Sequence, residues 1–141
     1  MNPLRYAERL LSIRPRSEKE IRERMEKKGY SPQETEKTVN HFKNIGLLDD
    51  REFAKWWFEE RKGERGIFAI KMELKRKGVS DEIIDEVVSG DEREFIKKAL
   101  EKAERKYKNL PERERKRKIR EYLLRRGFSW DVIQEVTEWT P

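Results

Sequence analysis

The chain has 141 residues, enough for one globular domain or for a string of small repeats. Charged residues make up 45% of it and hydrophobic residues 34%, which argues against one large apolar core and favours several small ones. The net charge of +6 suggests an anionic partner. The absence of cysteine excludes disulfides and thiolate chemistry and favours a reducing, cytoplasmic setting, and no apolar run predicts a membrane span.

An internal repeat organises the sequence. Gly29, Gly78 and Gly127 stand 49 residues apart, and each follows two basic residues and precedes an apolar residue and a serine. Glycine tolerates the left-handed conformation that ends a helix, the bases complement the helix dipole, and the serine caps the next helix. Each glycine is therefore predicted just past the end of a helix.

The first predicted repeat covers residues 1–48 and contains three helices. The first helix runs from about residue 3 to residue 13, and capping boxes at Ser17 and Ser31 begin the other two. His41, the only histidine, has no cysteine or second histidine with which to hold a metal, so we expect it at the surface. Apolar residues at helical spacing predict the inward face: Tyr6, Leu10, Ile21, Met25, Val39, Phe42 and Ile45.

The second predicted repeat covers residues 49–90, and its first helix spans about residues 50–62. Trp56 is harder to bury than its neighbours and is expected either to pack between repeats or to meet a partner. Two glycines in residues 63–66 lack the following Lys-Ser/Thr of a phosphate-binding loop, so this segment is predicted as a plain loop. The predicted inward face consists of Phe53, Ala54, Trp57, Ile70, Leu74, Ile83, Ile84, Val87 and Val88.

The third predicted repeat covers residues 91–141, with a first helix at about residues 91–108. The charged lead-in over 106–117 leaves the start of its second helix open. The predicted inward face consists of Phe95, Ala99, Ala103, Ile119, Leu123, Val132, Ile133 and Val136. No segment alternates as a strand does, so we predict an all-α fold of three tandem three-helix repeats, which short joints arrange as an elongated, curved rod.

A basic patch occupies the last repeat. Seven bases fall within 12 residues and only Glu121 offsets them: Arg115, Lys116, Arg117, Lys118, Arg120, Arg125 and Arg126. Because Ile119 and Leu123 turn inward, we expect Lys116, Arg117, Arg120 and Arg126 to project to solvent. Two interpretations stay open: a solvated helix face, or a surface that contacts phosphate or an acidic protein.

The sequence offers little catalytic chemistry. No phosphate-binding loop, dinucleotide fingerprint or nucleophile elbow is present, and the carboxylates are interleaved with bases as on solvated helices. We therefore expect no enzyme activity, no catalytic residue, no metal and no cofactor.

Several segments, in order along nearly the whole chain, resemble the RecX family: residues 14–17, 20–21, 28–30, 46–50, 53–54 with 57, 73–75, 77–79 and 125–133. Members often carry bases after the position of Gly66, where this chain has Ile67, Phe68 and Ala69 instead. The resemblance implies tandem three-helix repeats without a catalytic site.

It also implies a regulator that binds the RecA recombinase and its filament on single-stranded DNA in recombination, DNA repair and the SOS response. RecX-like proteins usually inhibit the ATPase, co-protease and strand-exchange activities of RecA. On this basis we expect a cytoplasmic monomer whose candidate RecA or DNA contacts are Lys116, Arg117, Arg120, Arg126, Lys75 and Lys77.

Two alternatives remain at this point: a helical DNA-binding protein that acts without RecA, and a scaffold for an unrelated acidic protein. Direct DNA contact and the repeat that contributes most affinity are left open.

Overall fold

The computed structural model describes residues 1–138, and over that range the backbone forms nine α-helices and no strand beyond one isolated bridge between Lys62 and Arg65. The helices are α1 (Pro3–Ile13), α2 (Glu18–Lys28), α3 (Pro32–Asn44), α4 (Asp50–Arg61), α5 (Ile67–Arg76), α6 (Asp81–Val87), α7 (Glu92–Lys106), α8 (Glu112–Arg125) and α9 (Trp130–Thr137). The predicted all-α fold is confirmed. No helix between residues 1 and 138 is both long enough and apolar enough to cross a bilayer.

The chain divides into two compact units. Unit 1 comprises Met1–Trp57 and Leu74–Val87, and unit 2 comprises Phe58–Glu73 and the residues from Val88 onward. Each unit thus contains part of the second predicted repeat. The repeat boundaries at 1–48, 49–90 and 91–141 stay a prediction.

In unit 1, helices α1, α2 and α3 pack against one another around a small apolar core. Both predicted capping boxes are present: the Ser17 hydroxyl accepts from the Glu20 N–H at 3.1 Å, the Glu20 carboxylate accepts from the Ser17 N–H at 3.1 Å, and Ser31 and Glu34 repeat the exchange. The core residues are Ala7, Leu10, Ile21, Met25, Val39, Phe42 and Leu48.

One predicted core position of unit 1 is wrong. Ile45 is 54% exposed, and Leu48, which was not predicted, is buried in its place. Helix α3 ends at Asn44, so the chain turns before Ile45 can continue the inward stripe. The N–H groups of Leu47 and Leu48 both donate to the Phe42 carbonyl, which brings Leu48 back over the core.

In unit 2, helix α7 packs against α8 and α9, and α8 packs against α9. The predicted inward residues Ala99, Ala103, Ile119, Leu123 and Ile133 are buried, whereas Phe95, Val132 and Val136 are partly buried at the edge of the cluster. Three further buried residues complete this core: Ile96, Tyr122 and Phe128.

The three repeat glycines lie where the sequence places them. Gly29, Gly78 and Gly127 follow α2, α5 and α8 with φ of +97°, +82° and +88°. At Gly127 a side chain would also collide with Ala69. Gly66 is equally crowded, because a Cβ there would overlap the Gly127 carbonyl, and its N–H donates to the Arg126 carbonyl at 2.7 Å. The start of α5 thus lies directly against the turn between α8 and α9.

Candidate partner-binding surface

Helix α8 presents the predicted basic patch. Its inward face is fixed by Ile119, Tyr122 and Leu123, all buried in the core of unit 2. The Arg117 side chain is 57% exposed, as expected. Lys116 and Arg120 are only half-buried rather than fully projecting, because they lie closer to the edge of the inward face.

Two bases of the patch have carboxylate partners one turn away. Lys116 Nζ lies 3.2 Å from Glu112 Oε1, and Arg117 Nη1 lies 3.5 Å from Glu121 Oε1. Glu112 is thus a second carboxylate that offsets the patch, beside the predicted Glu121. Such exposed pairs contribute about 0–1 kcal/mol, so a stronger anion can replace either carboxylate at little cost.

A wide, shallow groove of about 560 Å³ opens beside the start of α8. It is lined by Pro111, Arg113, Glu114, Arg117 and Arg120, which sets three guanidinium groups against one carboxylate. Guanidinium groups donate in a fork that matches carboxylate and phosphate oxygens, so this groove suits an anionic partner.

Arg126 lies apart from that groove, beside the core of unit 2. It follows the end of α8, is half-buried, and holds its guanidinium carbon 5.0 Å from the centre of the Tyr122 ring. The structure therefore keeps Arg117 and Arg120 together and separates Arg126 from them.

The other two candidate contacts, Lys75 and Lys77, belong to unit 1. Lys75 is exposed, and its Nζ lies 3.8 Å from the Asp81 carboxylate. Lys77 Nζ donates to Glu20 Oε2 at 3.0 Å and lies 5.4 Å from the Trp57 ring. Lys77 is thus tied into the fold of unit 1.

Glu20 is the centre of a charged network that the sequence patterns did not reveal. Its carboxylate is mostly buried and accepts from Arg14 Nη2 at 2.6 Å, from Lys77 Nζ and from the Ser17 N–H. Burial by itself would raise the pKa of Glu20, but the hydrogen bonds from Arg14, Ser17 and Lys77 together hold the pKa below its ordinary value. This network stabilises unit 1.

The Arg14 guanidinium also lies 5.5 Å from the centre of the Trp56 ring, which leaves Trp56 half-buried. Trp57 is in the core, as predicted. His41 is exposed against the edge of Phe42, as predicted. Among residues 1–138, no group of three or more His, Asp or Glu side chains is placed to hold a metal ion.

A second basic cluster escaped the sequence analysis. Lys98, Lys102 and Arg105 lie on α7 and line a pocket of unit 2 together with Arg126. Their spacing of four and three residues puts them on one helical face and could have revealed them.

Three family models match the chain in order: the first three-helix domain of RecX at residues 4–42, the second at 49–88 and the third at 91–137. The chain belongs to the RecX family. Several curated relatives carry the name "Regulatory protein RecX". The one from Bacillus licheniformis is 36% identical, and the match covers 92% of this chain and 52% of that one. The relative from Clostridium acetobutylicum is 34% identical, and the match covers 86% of this chain and 60% of that one. The relative from Chlorobaculum tepidum is 33% identical, and the match covers 96% of this chain and 86% of that one.

The chain thus spans only about half to three-fifths of the length of the Bacillus and Clostridium relatives. Two RecX crystal structures share its fold. RecX from Lactobacillus salivarius superposes with a TM-score of 0.76 at 23% identity, covering 96% of this chain and 92% of that one. A second structure, described as regulatory protein RecX, superposes with a TM-score of 0.80 at 24% identity and covers 97% of this chain and 72% of that one.

Proposed function

We propose that this protein binds RecA and its filament on single-stranded DNA and inhibits the ATPase, co-protease and strand-exchange activities of the recombinase. It would act as a non-enzymatic regulator in recombination, DNA repair and the SOS response, in the cytoplasm and as a monomer. The observation that carries this proposal is the match of three RecX domains, in order, along most of the chain. RecA binding is what membership in this family implies.

The charge of unit 2 supports the proposal. A filament on single-stranded DNA presents phosphate groups along its length, and basic side chains bind phosphate without sequence preference. The groove beside α8, with Arg117 and Arg120, offers guanidinium groups of this kind. We place the principal contact at that groove.

The direct test is the DNA-dependent ATPase of RecA, measured with and without this protein at several salt concentrations. We expect inhibition that weakens as salt rises, because counterions compete for the phosphate contacts. Absence of any effect at low salt would refute the proposed function.

A charge-reversal variant tests the contact surface. Changing Lys116, Arg117 and Arg120 to Glu should weaken filament binding and flatten its dependence on salt, with little change in helical content. The matched control makes the same three reversals at exposed positions of unit 1: Arg5, Arg9 and Lys37. Equal loss in the two variants would mean that net charge, rather than the α8 surface, governs binding.

The second candidate function is direct DNA binding without RecA, which the basic cluster on α7 favours. Binding of the isolated protein to single-stranded DNA, with no effect on the RecA ATPase, would support this alternative over the proposed function.

A further inference from the structure

A small pocket in unit 2 gathers four basic side chains, three from α7 and one from the residue that follows α8. It has a volume of about 190 Å³ and is lined by Lys98, Lys102 and Arg105 of α7 and by Arg126 after α8. That volume is several times what one water molecule requires, yet well below the space taken by a drug-sized ligand. The pocket suits a small anionic group.

The three α7 side chains share one helical face. Residues four and three positions apart lie above one another on a helix, so Lys98, Lys102 and Arg105 form a single row. On the neighbouring face of that helix, Ala99 and Ala103 enter the core and hold α7 against α8. The row is therefore fixed by packing beside Tyr122 and Arg126.

Tyr122 holds the fourth base in place. Its ring is 6% exposed and has the Arg126 guanidinium 5.0 Å from its centre and Lys106 Nζ at 5.6 Å. Tyr122 also lines the pocket.

These four bases are not neutralised within the described chain. No carboxylate of residues 1–138 lies within 4.0 Å of Lys98, Lys102, Arg105 or Arg126, and Glu64 is the single acidic residue of the lining. On α8, by contrast, Lys116 and Arg117 each have a carboxylate partner. Like charges held close together repel one another, and a bound anion relieves that repulsion.

The loop before α5 supports this side of the pocket. Gly63 is buried with φ of +89°, and a Cβ there would lie 3.5 Å from Lys98 Cδ. The Lys98 stem is thereby laid along the loop, which limits the positions its ammonium group can reach.

We propose that this pocket binds a phosphate group, supplied by the backbone of single-stranded nucleic acid. The two non-bridging oxygens of a backbone phosphate can accept from several bases at once, and charge-assisted hydrogen bonds of this kind are strong. The inference deepens the proposed function and rests on it for the source of the strand, the DNA within the filament. It adds a phosphate site distinct from the α8 groove.

The experiment measures binding of a short fluorescent single-stranded oligonucleotide to the full chain without RecA, by anisotropy at several salt concentrations. The variant is K98Q/K102Q, and R105Q serves as a second, independent variant. The control K97Q/K108Q removes the same charge from two exposed lysines, one on α7 and one in the turn after it, neither of which lines the pocket. Circular dichroism checks that all variants fold.

We expect K98Q/K102Q to bind several-fold more weakly and to lower the salt slope by up to about 0.7, since the slope changes by about 0.7 for each phosphate of a single strand that the protein neutralises. R105Q should move affinity and slope in the same direction, and the control should leave the slope unchanged.

Equal loss in the pocket and control variants would overturn the site in favour of general attraction. Binding of ATP or inorganic phosphate that K98Q/K102Q abolishes, while the same variant binds the oligonucleotide and inhibits RecA as the wild type does, would assign the pocket to free phosphate compounds and overturn the strand as its source. Pocket variants that bind the oligonucleotide normally but lose RecA would overturn it in favour of an acidic protein. If the pocket behaves as expected while the wild-type protein leaves the RecA ATPase unchanged, the pocket stands and the proposed function fails.

Discussion

Two adjacent leucines of α8 give a sharp test of the packing in unit 2. Leu123 is 0% exposed inside the core that α7, α8 and α9 form, whereas Leu124 is 45% exposed. Changing either residue to alanine removes the same atoms from the same turn of the same helix. Any difference in stability between the two variants therefore reports burial alone.

The expected magnitudes follow from these exposures. Truncating Leu123 exchanges about three buried carbon groups for a cavity, which amounts to roughly 2.4 kcal/mol of transfer free energy at about 0.8 kcal/mol per group. The cavity adds to this, so the total loss should be about 3–5 kcal/mol. Truncating Leu124 removes at most about half as much transfer free energy, because the side chain is half exposed, and it leaves no closed cavity. The free energy of unfolding of L124A should therefore fall by only about 1 kcal/mol.

The free energy of unfolding is measured by urea denaturation, followed by circular dichroism at the helical band. The midpoint should fall far more for L123A than for L124A at a similar slope. Equal losses, or a loss below about 1 kcal/mol for L123A, would refute the assigned inward face of α8. The same result would undermine the positions given to the basic residues of that helix.

Two further predictions concern unit 1 and unit 2 separately. Because hydrogen bonds from Arg14 and Lys77 hold the folded pKa of Glu20 below its ordinary value, its carboxylate stabilises the fold above the unfolded pKa of about 4.3, and this contribution is lost as pH falls through the folded pKa. Glu20→Gln should therefore lower the free energy of unfolding by about 1–3 kcal/mol at neutral pH, with a difference from wild type that shrinks on acidification in denaturation curves. Gly66→Ala should lower the melting temperature and reduce the free energy of unfolding by about 1–3 kcal/mol, because the added Cβ would overlap the Gly127 carbonyl.

Each of these two predictions has a control. For Glu20 the control is Glu34→Gln, since Glu34 makes the same capping box at an exposed position without a basic partner. A difference that is constant with pH for Glu20→Gln would contradict the charged network. For Gly66 the control is Glu64→Ala in the same loop, expected to be nearly neutral because Glu64 is exposed. A fully stable Gly66→Ala protein would rule out the close backbone approach.

Much of the fold was predictable because local patterns decide it. The serine of a capping box and the glycine after two bases act on residues within one turn, so Ser17, Ser31 and the three repeat glycines were placed correctly. Ile45 was not, because periodicity counts positions along a helix without showing where that helix ends. Leu48 is buried where Ile45 was predicted because the chain turns after α3, and apolar spacing along the sequence does not predict such a turn.

The candidate contacts were less predictable, because the grouping of charged side chains at the surface depends on how the helices pack. Lys77 meets Glu20 from 57 residues away, so its role in unit 1 leaves no local signal. Lys98, Lys102 and Arg105 do follow a helical row, but acidic neighbours in the sequence hide the row within an ordinary charged helix. Only the packing of α7 against α8 places Arg126 beside them.

The backbone hydrogen bond between Gly66 and Arg126 makes one amide proton a reporter for this part of the protein. The Gly66 N–H is buried and donates to the carbonyl of the residue whose side chain lines the basic pocket. Its exchange with deuterium requires the start of α5 to separate from the turn after α8, so its rate measures that local opening. Any ligand that binds only the closed arrangement slows this exchange by the same factor by which it stabilises the closed state. Occupancy of the pocket can thus be followed through the exchange rate of this one amide proton.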